Sequence, residues 1–185
     1  APNAGKSTLI NRLVGVKISI VTPKVQTTRS RILGVAQLNH IQMVYVDTPG
    51  IFAPKRRLER AMVAAAWAGA ADADEVVVLI DSEQGRGREV ERIVDGLKQS
   101  GRQVMLALNK VDLVRRNKLL DLAAALNADD AFSHTFMISA LTGDGVEDLR
   151  NELAARLPEG PWLFPEDHLS DMNDRLFAAE ITREK

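Results

Sequence analysis

Short apolar runs alternate along this chain with stretches in which apolar residues recur every three or four positions, and that alternation orders most of its elements. Leu9 to Gly15 reads as the first helix. Arg31 to Leu38 and Ile41 to Val46 read as strands separated only by Asn39 and His40, the spacing of a hairpin. A helix over about Leu58 to Ala71 precedes Glu75 to Ile80, whose consecutive valines, leucine and isoleucine suit a strand buried on both faces. The period then repeats: helix Arg88 to Gln99 and strand Gln103 to Leu108, helix Lys118 to Asn127 and strand Thr135 to Ile138, and a last helix from Val146 to Leu157. This order predicts an α/β fold, a mostly parallel sheet with helices on both faces and one antiparallel hairpin strand.

From Pro158 to Pro165 three prolines and a glycine interrupt the pattern, so residues 158–170 read as a linker. Beyond it, Met172, Leu176, Phe177 and Ile181 share one face of a helix expected over 171–185. It is either a docked tail or, the preferred reading, the first element of a further domain. Residues 1–157 are expected to form one domain, and 185 residues suffice for one complete core. With 45% hydrophobic and 26% charged residues and a net charge of -1, composition calls for neither nucleic acid nor a membrane. Cysteine is absent, which excludes disulfides and thiolate metal sites.

The candidate chemistry collects where strands end, which is where open α/β sheets bind ligands. The chain opens on Ala1-Pro2-Asn3-Ala4-Gly5-Lys6-Ser7-Thr8, all but the first glycine of the GxxxxGK[ST] phosphate loop, and the strand feeding that loop is expected to precede Ala1. Backbone N–H groups of Ala4 to Thr8 at a helix N-terminus suit phosphate oxygens, Lys6 suits the β- and γ-phosphates, and the Ser7 hydroxyl suits Mg²⁺. Asp47 closes a strand and leads into Thr48-Pro49-Gly50, placing a carboxylate where it reaches the metal and a glycine whose N–H can approach the γ-phosphate. Thr27 and Thr28 lie in the loop after the first helix, and Thr28 is the preferred candidate to complete the metal shell and sense the γ-phosphate.

Asn109-Lys110-Val111-Asp112 selects the base. A carboxylate accepts from the N1–H and exocyclic amine of guanine, whereas adenine offers an acceptor in place of that N1–H. Sites built on such pairing discriminate by roughly 10⁴ to 10⁵. Ser139-Ala140-Leu141, after the next strand, is placed for its backbone to contact the guanine oxygen.

With Lys17-Ile18-Ser19-Ile20, Gln26-Thr27-Thr28-Arg29, Phe164-Pro165-Glu166-Asp167 and Glu180 to Lys185, these motifs resemble the Era-like family of TRAFAC-class GTPases over essentially the whole chain. The resemblance implies a P-loop NTPase G domain that hydrolyses GTP to GDP as a conformational switch with Mg²⁺. It implies catalytic roles for Lys6, Thr28, Gly50 and Asn3, and nucleotide contacts from Asn3 to Thr8, Asp47 to Ile51, Asn109 to Asp112 and Ser139 to Leu141. Ser7, Thr28 and Asp47 are the implied metal ligands. It further implies a C-terminal KH domain, begun at 171–185, that binds the 3′ end of 16S rRNA in 30S subunit assembly, in a cytoplasmic monomer. A peripheral membrane contact stays open.

Ile51 stands where Ras-like enzymes carry the glutamine that orients water, so a non-hydrolysing guanine-nucleotide scaffold is the alternative. Relatives in the group use K⁺ held partly by the phosphate-loop asparagine. Asn3 would hold it here, or would only brace the loop.

Overall fold

A computed structural model describes residues 3–18, 32–48 and 57–165. The expected helix over 171–185 lies outside them. Among the described residues, five strands and five α-helices follow the predicted order: α1 Lys6–Val14, β1 Ile32–Leu38, β2 Ile41–Asp47, α2 Arg57–Asp72, β3 Val77–Asp81, α3 Arg88–Ser100, β4 Val104–Asn109, α4 Arg116–Asn127, β5 Phe132–Met137 and α5 Val146–Arg156. A single 3₁₀ turn, Val111–Leu113, follows β4.

The strands β3, β4 and β5 form a parallel sheet with β4 in the centre, every residue of which is buried. Its core has two halves. Ile80, Leu106 and Leu108 pack against Val90, Ile93, Val94 and Leu97 of α3 and Leu119, Ala123 and Leu126 of α4. On the opposite face, Leu79, Met105 and Ala107 pack against Leu9 and Leu13 of α1 and Val146, Leu149 and Leu153 of α5. Helices on both faces follow from strands that are apolar at successive positions.

The hairpin differs in detail from expectation. β1 and β2 pair antiparallel from Ile32 with Asp47 to Leu38 with Ile41, and among the described residues this pair is a separate two-stranded sheet. Helix α1 joins the two sheets, because its apolar residues fall into two adjacent stripes. Leu9 and Leu13 face the parallel sheet, while Ile10 and Val14 pack with Ile18 beside the hairpin. A side chain at Gly34 would collide with Ile18 and Val14, so β1 needs glycine to come this close to α1. Tyr45 touches both clusters.

The linker lies along the hairpin. The Gln42 side chain accepts from the backbone N–H groups of Leu163 (2.9 Å) and Phe164 (3.0 Å) and donates to the Phe164 carbonyl (2.9 Å). The Trp162 indole donates to the His40 carbonyl at 3.0 Å.

Burial pushes the Tyr45 phenol up to about 12, with Glu147 reinforcing the shift and Arg150 opposing it. Its hydroxyl donates to Met43 Sδ at 3.3 Å. The neutral phenol is favoured only in the fold, so its contribution is intact below the unfolded value near 10. It fades as pH rises towards 12, on the order of 2–3 kcal/mol in all. Tyr45 is the sole tyrosine, so absorbance at 295 nm reads it directly. Folded protein at pH 11 is expected to show little tyrosinate, and urea at the same pH to release the full signal; half-ionisation near pH 10 in the folded state would contradict this burial.

Candidate functional site

Four chain segments meet at the carboxyl ends of the strands. β2 delivers Asp47, β3 delivers Asp81, β4 delivers Asn109 in register with Asp81, and β5 leads through Ile138 into Ser139 to Leu141. The phosphate loop enters beside them. Asn3 (φ 56) and Gly5 (φ 88) both take the left-handed conformation, curling the loop before α1 starts at Lys6. Gly5 is the N-cap, and no side chain caps the first turn. Uncapped amides and the positive end of the helix dipole suit an anion there.

Lys6 is ion-paired with Asp47 Oδ1, and the Ser7 hydroxyl donates to Asp47 Oδ2 at 3.3 Å. Asp47 has no solvent exposure, and Ser7 is buried as well. Burial pushes the Lys6 ammonium down to about 7, while the touching carboxylate favours its charged form, so a polyanion at this turn would stabilise the ammonium further. A hydroxyl and a carboxylate are hard oxygen donors of the kind magnesium takes. That ion is commonly held by one or two protein groups plus substrate phosphates. Among the described residues no group of three or more His, Cys, Asp or Glu side chains could hold a metal by itself. Ser7 and Asp47 therefore fit Mg²⁺ shared with a phosphate chain and not a closed protein cage.

Asn109 does more than the sequence shows. Its Nδ2 donates to the Ala4 carbonyl (2.7 Å) and its Oδ1 accepts from the Ala140 N–H (2.8 Å), so one buried amide fastens the phosphate loop to the loop after β5. A Cβ at position 5 would collide with that Nδ2, which gives Gly5 a second reason to be glycine. The next residue, Lys110, is left-handed (φ 65), and its ammonium lies 2.6 Å from Asp81 Oδ2. Asp81 is itself fixed by N–H groups of Glu83 (2.9 Å) and Gln84 (3.4 Å) and by the Gln84 side chain (3.1 Å).

Asp112 sits exposed in the 3₁₀ turn, which is tied to the end of β5 by Val111 N–H donating to Ile138 carbonyl at 3.2 Å. The Ser139 loop is a tight turn. Ser139 N–H donates to Asp144 carbonyl (2.9 Å), Gly143 N–H to Ser139 carbonyl (2.8 Å) and Thr142 N–H to Ser139 Oγ (3.1 Å).

The structure thus brings together Asn3 to Thr8, Asp47, Asn109 to Asp112 and Ser139 to Leu141. Ala1, Pro2, Thr27, Thr28, Pro49, Gly50 and Ile51 lie outside the described residues. Sequence reasoning missed Asp81, although a carboxylate closing an apolar strand, as Asp47 does, was a usable signal. It also placed the Ser139 loop's contact with the base only generally. The Ala140 N–H is taken by Asn109, and the Leu141 N–H has no hydrogen-bond partner among the described residues.

A family model described as "50S ribosome-binding GTPase" matches residues 1–110. The chain is 60% identical to the GTPase Era of Sinorhizobium medicae over 185 residues, all of this chain and 60% of that protein. With the GTPase Era of Agrobacterium fabrum it shares 58% identity over 183 residues, again 58% of the relative's length. It therefore spans a little under two thirds of the curated relatives it matches.

Among solved structures, Era in complex with MgGDPNP and nucleotides 1506–1542 of 16S ribosomal RNA superposes with a TM-score of 0.92 at 38% identity, covering 99% of this chain and 63% of that one. An Aquifex aeolicus Era variant bound to GDP·AlF4⁻ gives 0.90 at 39% identity, with the same coverage.

Proposed function

Because this chain belongs to the 50S ribosome-binding GTPase family, we propose that it is the G domain of an Era-type GTPase that hydrolyses GTP to GDP and phosphate as a conformational switch. The observation that carries the reading is the convergence of Lys6, Ser7 and Asp47 at an uncapped helix N-terminus that Asn109 joins directly to the base-reading loops.

In this reading the amides from Ala4 to Thr8 bind the phosphates and Lys6 neutralises their charge. Ser7 and Asp47 hold Mg²⁺, with Thr28 as the further ligand, and Thr28 and Gly50 respond to the γ-phosphate. Magnesium, when bound, neutralises charge that develops on the phosphate oxygens. Asn109, Lys110, Val111 and Asp112 present the base-binding edge, with Asp112 accepting from guanine, and Ser139 to Leu141 close the other side. Thr48, Pro49 and Ile51 complete the segment around the γ-phosphate.

Two finer parts belong to the same proposal. Asn3, left-handed at the mouth of the loop, holds K⁺ that supplies part of the charge stabilisation an arginine finger gives elsewhere. The RNA partner is 16S rRNA in the 30S subunit, engaged by a KH-type unit after the linker; support comes from the Era structure containing an rRNA fragment. The protein would work as a cytoplasmic monomer. Among the described residues no helix is long and apolar enough to cross a membrane, and any membrane contact would be peripheral.

The deciding experiment is single-turnover hydrolysis with saturating Mg²⁺, K⁺ and ribosomal RNA, with GDP and ADP as competitors. GDP and phosphate are expected as products, with competition by GDP but not ADP. Nucleotide bound without turnover would favour the scaffold. Equal rates in Na⁺ and K⁺ would remove the potassium role from Asn3.

A further inference from the structure

Arg12 lies one helical turn and more beyond Lys6, on the exposed side of α1, and carries none of the phosphate chemistry. Its guanidinium nevertheless leaves the helix and reaches the loop after β5. Nε donates to the Ala140 carbonyl at 2.7 Å, and a terminal nitrogen donates to the Leu141 carbonyl. Gly143 lies against the same group, because a Cβ there would stand 2.8 Å from the guanidinium nitrogen. Its φ of 97 is in the left-handed region as well. A planar fork of fixed donors suits two successive carbonyls in a way that a single ammonium does not.

The consequence lies in the peptide between Ala140 and Leu141. In a trans peptide the C=O and the following N–H point in opposite directions. Holding the Ala140 oxygen towards α1 therefore turns the Leu141 N–H away from α1. Asn109 has already taken the Ala140 N–H on the inner side. The Leu141 N–H is then the loop donor left for a ligand's acceptor, and Arg12 sets its direction.

We propose that Arg12 is a positioning residue for base recognition: it orients the Ala140–Leu141 peptide so that the Leu141 N–H donates to the 6-oxo group of guanine. This rests on the guanine-nucleotide reading above. The first helix would then serve both ends of the ligand, phosphates through its first turn and base through Arg12.

The test compares equilibrium binding of GDP with that of the 5′-diphosphate of 2-aminopurine riboside, a base that keeps the 2-amino group and lacks both the 6-oxo group and the N1–H, so that only the change in the ratio between variants reads the 6-oxo contact. In the unaltered protein GDP must bind more tightly; equal affinities would overturn the guanine reading itself, and the proposal with it. Given that preference, Arg12→Met is expected to weaken GDP about tenfold, the loss of one well-placed hydrogen bond, with 2-aminopurine diphosphate changing less than twofold. Arg12→Lys keeps the charge and should recover little of the loss. Gly143→Ala, which displaces the guanidinium from the other side, should give the same selective loss, and combining it with Arg12→Met should add little. Parallel weakening of both nucleotides, an unchanged ratio, or full recovery by lysine would each overturn the proposal. Circular dichroism on every variant confirms folding, and a misfolded Arg12→Met leaves Arg12→Lys and Gly143→Ala to decide it.

Discussion

Asp112→Asn is expected to weaken GDP binding by about 10²- to 10⁴-fold, because two hydrogen bonds to a charged group, at about 1.5–3 kcal/mol each, give way to one neutral bond and a donor facing a donor. It is also expected to transfer preference to xanthosine diphosphate. The aspartate accepts twice; asparagine places a donor where one acceptor stood, opposite the exocyclic amine of guanine. Xanthine has a carbonyl at that position and accepts the new donor. Asp112 is exposed in the 3₁₀ turn, so the substitution should leave the fold unchanged. Competition of GDP and xanthosine diphosphate against a fluorescent guanine nucleotide reads both effects, and an unchanged preference for guanine would remove Asp112 from the site.

Asn109→Asp carries the second large effect, and it falls on the fold as well as the ligand. The side chains have the same shape, and Oδ1 can still accept from Ala140. The other arm, now an oxygen, faces the Ala4 carbonyl at the former 2.7 Å contact with no proton between them, in a site only 2% exposed. Breaking a buried contact while adding an unpaired charge costs about 2–5 kcal/mol, so urea unfolding should show a loss in that range. Nucleotide affinity should fall with it, because the phosphate loop is released from the base loops.

The variant carboxyl is held above its ordinary value by burial and the facing carbonyl, and once protonated it can donate to Ala4 again. The deficit should therefore be complete only at pH above that raised value and shrink as pH falls through it. A deficit that does not change with pH would mean the Ala4 contact is not the cause.

The helices and central strands were legible because burial imposes its period: β4 is buried at every residue, and α3 puts Val90, Ile93, Val94 and Leu97 on one stripe. β5 was read too short at its start. It begins at Phe132, but Ser133 and His134 are exposed, so the polar residues there hid a strand with only one neighbour among the described residues. The alternating signal fails where neither face is covered.

At the proposed site, the sequence offered candidates because phosphate, metal and guanine each demand particular groups. The supports were not legible. Arg12 and Ala140 are 128 positions apart, and Asn109 and Ala4 are 105 apart, so nothing local marks either contact. Asn109 was read as one of four base-selecting residues, and its amide also holds two loops together. Gln42 gave no sign that it would grip the linker, since a glutamine in a half-exposed strand usually meets water.

The two stripes of α1 tie ligand occupancy to the integrity of the whole domain. The residues that join the hairpin to the parallel sheet, Ile10 and Val14 on one side and Leu9 and Leu13 on the other, hang from the same short helix whose first turn meets the ligand. Fraying of that turn loosens both sheets together, and a nucleotide that holds it acts as a clasp between them. By mass action, a ligand at 100 times its dissociation constant adds about 2.7 kcal/mol to the folded state. Much of that gain would appear as cooperativity: without nucleotide the hairpin can part from the sheet, and with it the two halves melt as one.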